Sequence, residues 1–172
     1  MKKNRERGLT LLEMLVAVGV FSLLMLLVNT ILDGGRKQVW VAENKMHLEE
    51  SVREGLYRMA LEVRETAPSR VAIGANGANL TFQIPANVSN SGTITWSPPI
   101  VYQVGGNGSQ LVRVDSATTQ TTILANDVQT VNFATVGNPV TRVTFSVTAQ
   151  QNTIDGRALT VTSTGEARLR NV

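Results

Sequence analysis

Apolar and polar positions divide the chain into three textures. From Met14 to Val28, 13 of 15 residues are apolar, with Gly19 and Ser22 the exceptions, and the run extends from Leu9 to Leu32. Twenty-four residues at 1.5 Å rise make about 36 Å of helix, enough to cross a ~30 Å hydrocarbon core. Asp33-Gly34-Gly35 then interrupts the pattern. Adjacent glycines cost about 1 kcal/mol each against Ala, so a bend or melted turn is expected there. From Arg36 to Thr66 a helical period resumes, with Val41, Leu48, Val52, Leu56, Met59 and Val63 at three-, four- or seven-residue steps. Such a stripe packs on a sheet in the same chain or forms a coiled-coil seam, and the first is favoured. Glu49 with Arg53 and Glu54 with Arg58 are spaced as i,i+4 ion pairs on the wet face. Pro68 ends the helix.

After Ser69 the period falls to two. Short runs at Leu80–Ile84, Thr93–Trp96, Ile100–Val104, Leu111–Val114, Thr121–Ala125, Val128–Phe133, Val140–Ala149 and Leu159–Leu169 read as strands. Gly105 to Gly108 predicts a hairpin turn and Asn126-Asp127 a tight connection. One long helix followed by a run of strands describes an α+β fold, the helix packed on an antiparallel sheet. The expected organisation is a leader over residues 1–8, a membrane helix over 9–32, an amphipathic helix over 33–68 and a β-rich domain over 69–172.

Charge sharpens this picture once it is located. The formal net charge of the 172 residues is +3. Lys2, Lys3, Arg5 and Arg7 against Glu6 make 4 − 1 = +3, so the remaining 164 residues carry 12 basic and 12 acidic side chains. A neutral body has no surplus cations for phosphates, which argues against general nucleic-acid binding. Basic residues before the apolar run place the N-terminus in the cytoplasm and the following domain outside. A secretory signal puts its apolar region before the cleavage site. Here the small residue, Gly8, comes first, and cleavage there leaves the membrane helix on the product.

Glu13 lies inside that helix, where a carboxylate deep in lipid costs about 2.5 kcal/mol or more. It is four residues from Leu9 and shares a helix face with it. Cleavage after Gly8 would give Leu9 a free ammonium, which Glu13 can pair with in its own chain or in a neighbour. A paired buried ion is tolerable and an unpaired one is not, so the pair can set axial register between subunits. The alternative is a single-span anchor whose Glu reaches the headgroups.

Arg7-Gly8-Leu9-Thr10-Leu11-Leu12-Glu13-Met14-Leu15 closely resembles the processing motif of type IV prepilins and pseudopilins. That resemblance implies cleavage between Gly8 and Leu9 by a prepilin peptidase, N-methylation of Leu9, which stands where the family usually has Phe, and an assembly role for Glu13. It also implies partners: the peptidase, the inner membrane, and other pilins or pseudopilins of the same filament. A second likeness covers Tyr102, Leu111-Val112-Arg113, Ile123 to Val128, Phe133 and Leu169-Arg170-Asn171. These resemble the C-terminal half of minor subunits, the pseudopilin J of type II secretion and PilW-like minor pilins. The chain has no cysteine, whereas major pilins more often staple this region with a Cys pair.

Candidate chemistry is sparse. No cysteine means no disulfide and no thiolate site, and the lone His47 reads as a solvent-facing helix residue. Asp127 or Asp155 could touch calcium, though an Asp in a turn is more often a turn former. No catalytic residue, cofactor, metal or small-molecule substrate is expected. The 42 residues between Arg70 and Arg113 carry no charge and include Phe82, Trp96 and Tyr102, which makes them a candidate docking surface. Three functions follow: a minor pilin or pseudopilin that initiates or caps a filament, a filament-borne adhesion or DNA-binding subunit, and a membrane-anchored periplasmic binding domain.

Overall fold

The structure, a computed structural model, describes residues 10–153 and 156–170. Among the described residues one α-helix, α1 (Leu11–Arg64, 54 residues), is followed by ten strands: β1 (Val71–Ile73), β2 (Asn79–Phe82), β3 (Pro85–Val88), β4 (Ile94–Trp96), β5 (Ile100–Gly105), β6 (Gln110–Asp115), β7 (Thr121–Asn126), β8 (Val128–Val136), β9 (Arg142–Asn152) and β10 (Ala158–Arg168). The fold is α+β. By its contacts the chain divides into two compact units, with the boundary between Glu43 and Asn44.

α1 is continuous through Asp33-Gly34-Gly35, where the sequence predicts an interruption. Breaking the helix there would create two new ends with four unsatisfied backbone groups each. Keeping two glycines in register costs about 2 kcal/mol in all, and once a helix is nucleated each added residue gains a hydrogen bond. The other end also differs slightly. α1 stops at Arg64, four residues before Pro68, and Glu65 N–H and Thr66 N–H bond back to the carbonyls of Glu62 and Val63 in a tighter turn.

All strand pairs are antiparallel, in three sheets ordered β1-β2-β5-β6-β7, β10-β9-β8 and β3-β4. The eight expected strands are present; β1 and β3 were not foreseen. The Gly105–Gly108 turn joins β5 to β6, closed by Gly108 N–H on Gly105 O at 3.1 Å. Asp127 is no hairpin: held in the left-handed region at φ 58°, it passes the chain from β7 in one sheet to β8 in another.

From Leu48 onward the stripe on α1 performs as its spacing predicts, whereas Val41, its expected first member, is only half-buried and outside the core. Leu48, Val52, Gly55, Leu56, Met59 and Val63 are buried against Leu80, Phe82, Tyr102, Val131, Phe145 and Val147, among others, so the stripe is a sheet-packing face. Gly55 belongs to it because a Cβ there would lie 3.1 Å from the carbonyl oxygen of Leu124, close enough to push β7 away. A second close fit lies across β9 and β10. Gly165 sits opposite Phe145, and a Cβ on it would fall 2.3 Å from the Phe145 ring. Phe82 and Tyr102 stack at 5.3 Å between centroids inside this core, both fully buried. They are therefore core residues, not part of the proposed docking surface. Trp96 is only half-buried, under the Arg70 guanidinium at 5.4 Å.

One polar tie crosses from helix to sheet. Tyr102 Oη–H donates to Glu62 Oε2 at 2.9 Å, and Arg113 Nε–H donates to Glu62 Oε2 at 2.9 Å and Oε1 at 3.2 Å. Burial, together with the Glu62 carboxylate at its hydroxyl, raises the Tyr102 pKa above its ordinary value, and Arg113 opposes this without cancelling it. Burial of the Arg113 guanidinium works against its charge, but the carboxylate it contacts outweighs this and its pKa is raised. Of the expected surface pairs, Glu54–Arg58 forms at 2.6 Å, while Glu49 lies 3.8 Å from Lys45 instead of pairing with Arg53.

Two outcomes follow for a fragment beginning at Arg36. It should fold without reductant or metal and give a mixed α/β circular dichroism spectrum, and Met59→Ala should lower its urea-unfolding stability by about 2–5 kcal/mol. Tyr102 bears on pH. Its pKa is higher in the fold than in the unfolded chain, so its stabilisation is complete below pH ~10 and declines as the pH rises through that value. Tyr102→Phe should cost about 0.5–1.5 kcal/mol near neutral pH. Above pH ~10 it should also flatten the alkaline loss of stability by up to about 1.4 kcal/mol per pH unit.

Candidate functional site

The site is the start of α1. Leu11 is the first helical residue, so Thr10 occupies the N-cap and Glu13 the third helical position. The N-terminal turn of a helix leaves its N–H groups without intrahelical acceptors. Thr10 and Glu13 answer this reciprocally. Glu13 N–H donates to Thr10 Oγ1 at 3.3 Å, and Thr10 N–H donates to Glu13 Oε2 at 2.9 Å, with Thr10 Oγ1–H on the same carboxylate oxygen at 3.1 Å. This is a capping box, in which the carboxylate also faces the positive end of the helix dipole. The Thr-x-x-Glu spacing was visible in the sequence, where the cost of a carboxylate in lipid drew attention to Glu13 alone.

Gly8 and Leu9, the expected processing residues, lie outside the described residues, as does Asp155. Behind Glu13 the helix presents apolar side chains on every side: Leu12, Met14, Leu15, Phe21, Leu24, Leu27 and Ile31 are all exposed. The helix holds a window of mean hydropathy 2.6, none of it buried, long and apolar enough to cross a membrane. Ser22 and Thr30 hydroxyls donate to the carbonyls of Val18 and Leu26, four residues back, so neither leaves a bare donor on this surface.

Elsewhere, Asp127 is the left-handed residue between β7 and β8. His47 is exposed, Asp115 caps the turn after β6 by accepting Ala117 N–H at 2.9 Å, and Glu166 accepts Arg142 Nη1–H at 2.9 Å. Among the described residues no group of three His, Asp or Glu side chains is placed to hold a metal ion. Tyr102, Leu111, Val112, Ala125, Val128 and Phe133, which carry the likeness to minor subunits, are all buried. Others that share it are not: Arg113, Leu124 and Asp127 are half-buried, and Ile123, Asn126 and Arg170 are exposed.

Residues 3–29 match the family model of the prokaryotic N-terminal methylation motif. No curated protein and no solved structure matches the chain. Residues 3–29 thus carry the N-terminal methylation motif of type IV pilin-like prepilins, and the motif lies on a helix long and apolar enough to cross a membrane and capped at its start by Thr10 and Glu13.

Proposed function

We propose that the mature protein is a minor pilin or pseudopilin that helps initiate or cap a type IV pilus or a type II secretion pseudopilus. Cleavage between Gly8 and Leu9 leaves α1 on the product, and Leu9 is the N-methylated terminus. Lys2, Lys3, Arg5 and Arg7 hold the leader in the cytoplasm, so the β-rich domain faces the periplasm. The observation that carries the reading is the helix surface from Leu11 to Leu32, apolar all round, with one carboxylate at its start. Lipid satisfies that surface in the stored subunit, and neighbouring helices satisfy it in a filament. The minor rather than bulk role is supported by the sequence likeness to minor subunits and by the lack of a cysteine staple.

Glu13 is the point of test. Gln also completes a capping box, so Glu13→Gln keeps the helix start and removes only the charge. A plain anchor would be unaffected or slightly favoured. In an assembling subunit the change strands an amine inside a helix bundle, at a cost of about 3–5 kcal/mol, or a roughly hundredfold or greater drop in incorporation. Co-purification with sister subunits reads this out, with cleavage largely preserved by mass. Gly8→Val, by contrast, should leave the leader attached; normal mature protein from that variant would contradict the prepilin reading.

A further inference from the structure

Two Asn-Gly pairs occur in the chain, Asn76-Gly77 and Asn107-Gly108. Such a pair carries its own chemistry: the backbone nitrogen of the glycine lies one rotation away from the Asn carboxamide, and no Cβ stands beside it. Whether that chemistry runs depends on how freely the backbone between the two residues turns and on how easily water reaches it. The fold treats the two pairs in opposite ways. Asn76-Gly77 sits in the short helical turn Ala75–Gly77 between β1 and β2, with Asn76 held at φ 57° and ψ 20°. Gly77 is buried at φ 72°, where a Cβ would run into Asn132 Oδ1 and lie 2.7 Å from the Phe133 carbonyl oxygen, both on β8. That turn is wedged against a second sheet. Asn107-Gly108 lies instead in the turn between β5 and β6, where Gly106, Asn107 and Gly108 are all exposed. Gly108, at φ 83°, has nothing within 4 Å of the space a side chain would take. Each glycine N–H donates to the carbonyl three residues back, Gly77 to Gly74 and Gly108 to Gly105, both at 3.1 Å. Hydrogen bonding therefore does not separate the two turns. Burial does.

We propose that Asn107 is a site of spontaneous covalent modification, its side-chain amide being lost through a cyclic imide formed with Gly108. The Gly108 backbone nitrogen loses its proton to solvent and attacks Asn107 Cγ. A new bond from that nitrogen to Cγ closes the ring, the bond from Cγ to the amide nitrogen breaks, and ammonia leaves with a proton regained from solvent. Water then opens the imide at either carbonyl. Opening at Cγ gives Asp at position 107. Opening at the main-chain carbonyl gives isoaspartate, in which the chain runs through the former side chain and is longer by a carbon. Either product is a carboxylate at neutral pH. It is the first charge in the 42 residues between Arg70 and Arg113, so it marks an old copy of the protein apart from a new one. Asn76 is spared, because ring closure there waits for the turn to pull away from β8, and a local opening of that kind is occupied only a small fraction of the time.

The test uses the full-length chain in detergent, aged in warm, mildly alkaline buffer and sampled over weeks. Arg70 and Arg113 bound one tryptic peptide that holds both pairs, so fragmentation in the mass spectrometer compares them within the same molecule. Asn107 should acquire the mass difference between an amide and an acid at least about tenfold faster than Asn76. An isoaspartate-specific methyltransferase should label the aged chain more than the fresh one, and Asn107→Gln, at an exposed position, should lose most of that label. Unfolding in guanidinium chloride should bring the two pairs to similar rates, since only the fold tells them apart. Asn76 converting within about tenfold of Asn107 in the folded chain would overturn the proposal. So would an Asn107 that stays intact in the folded chain over a period in which the unfolded chain converts, or a label unchanged by Asn107→Gln.

Discussion

From Leu11 to Leu32 the helix turns apolar side chains outward in every direction, whereas from Leu48 to Val63 it hides a single stripe, and the rest of the chain follows from that change of solvent. A hydrophobic cylinder needs no partner within its own chain when lipid surrounds it. A one-sided helix in water does, and the sheets supply the covering face. The Glu62 tie to Tyr102 and Arg113 stands beside that contact and adds direction to it. Apolar packing alone tolerates some sliding, but a carboxylate gripped by a phenol and a guanidinium from two strands does not.

Much of this was legible because each solvent leaves its own period: an unbroken apolar run, then the helical stripe, then alternation by two. What escaped did so for identifiable reasons. β1, Val71-Ala72-Ile73, is apolar throughout and shows no alternation, and β3 opens on Pro85, which speaks against a strand. The break expected at Gly34-Gly35 was argued from local propensity, which the cooperativity of a long helix overrides. Phe82 and Tyr102 were placed on a docking surface because aromatics without charge mark interface centres and protein interiors alike; only their position opposite the helix stripe separates the two. The Glu62–Arg113 pair joins residues 51 apart, a distance at which sequence spacing carries no signal.

The N-terminal site divides in the same way. The motif from Arg7 to Leu15 was legible as a family resemblance, and the match over residues 3–29 agrees with it. The partnership of Thr10 with Glu13 came from the backbone, since helix geometry brings the N-cap hydroxyl and the carboxylate of the third helical residue together. Glu13 is therefore satisfied at its own helix start, and in the function proposed above a subunit amine is its second partner. A side chain already satisfied at home is less costly to store in a membrane than one waiting for its counter-ion.

The contact between Gly165 and Phe145 bears on how this sequence can drift. The two residues face each other across the longest ladder in the protein, and the ring fills the space a side chain at 165 would need. A larger residue at 165 demands a smaller one at 145, and a smaller one at 145 opens space beside 165. Among relatives of this chain the two positions should vary as a pair, with their combined volume nearly constant.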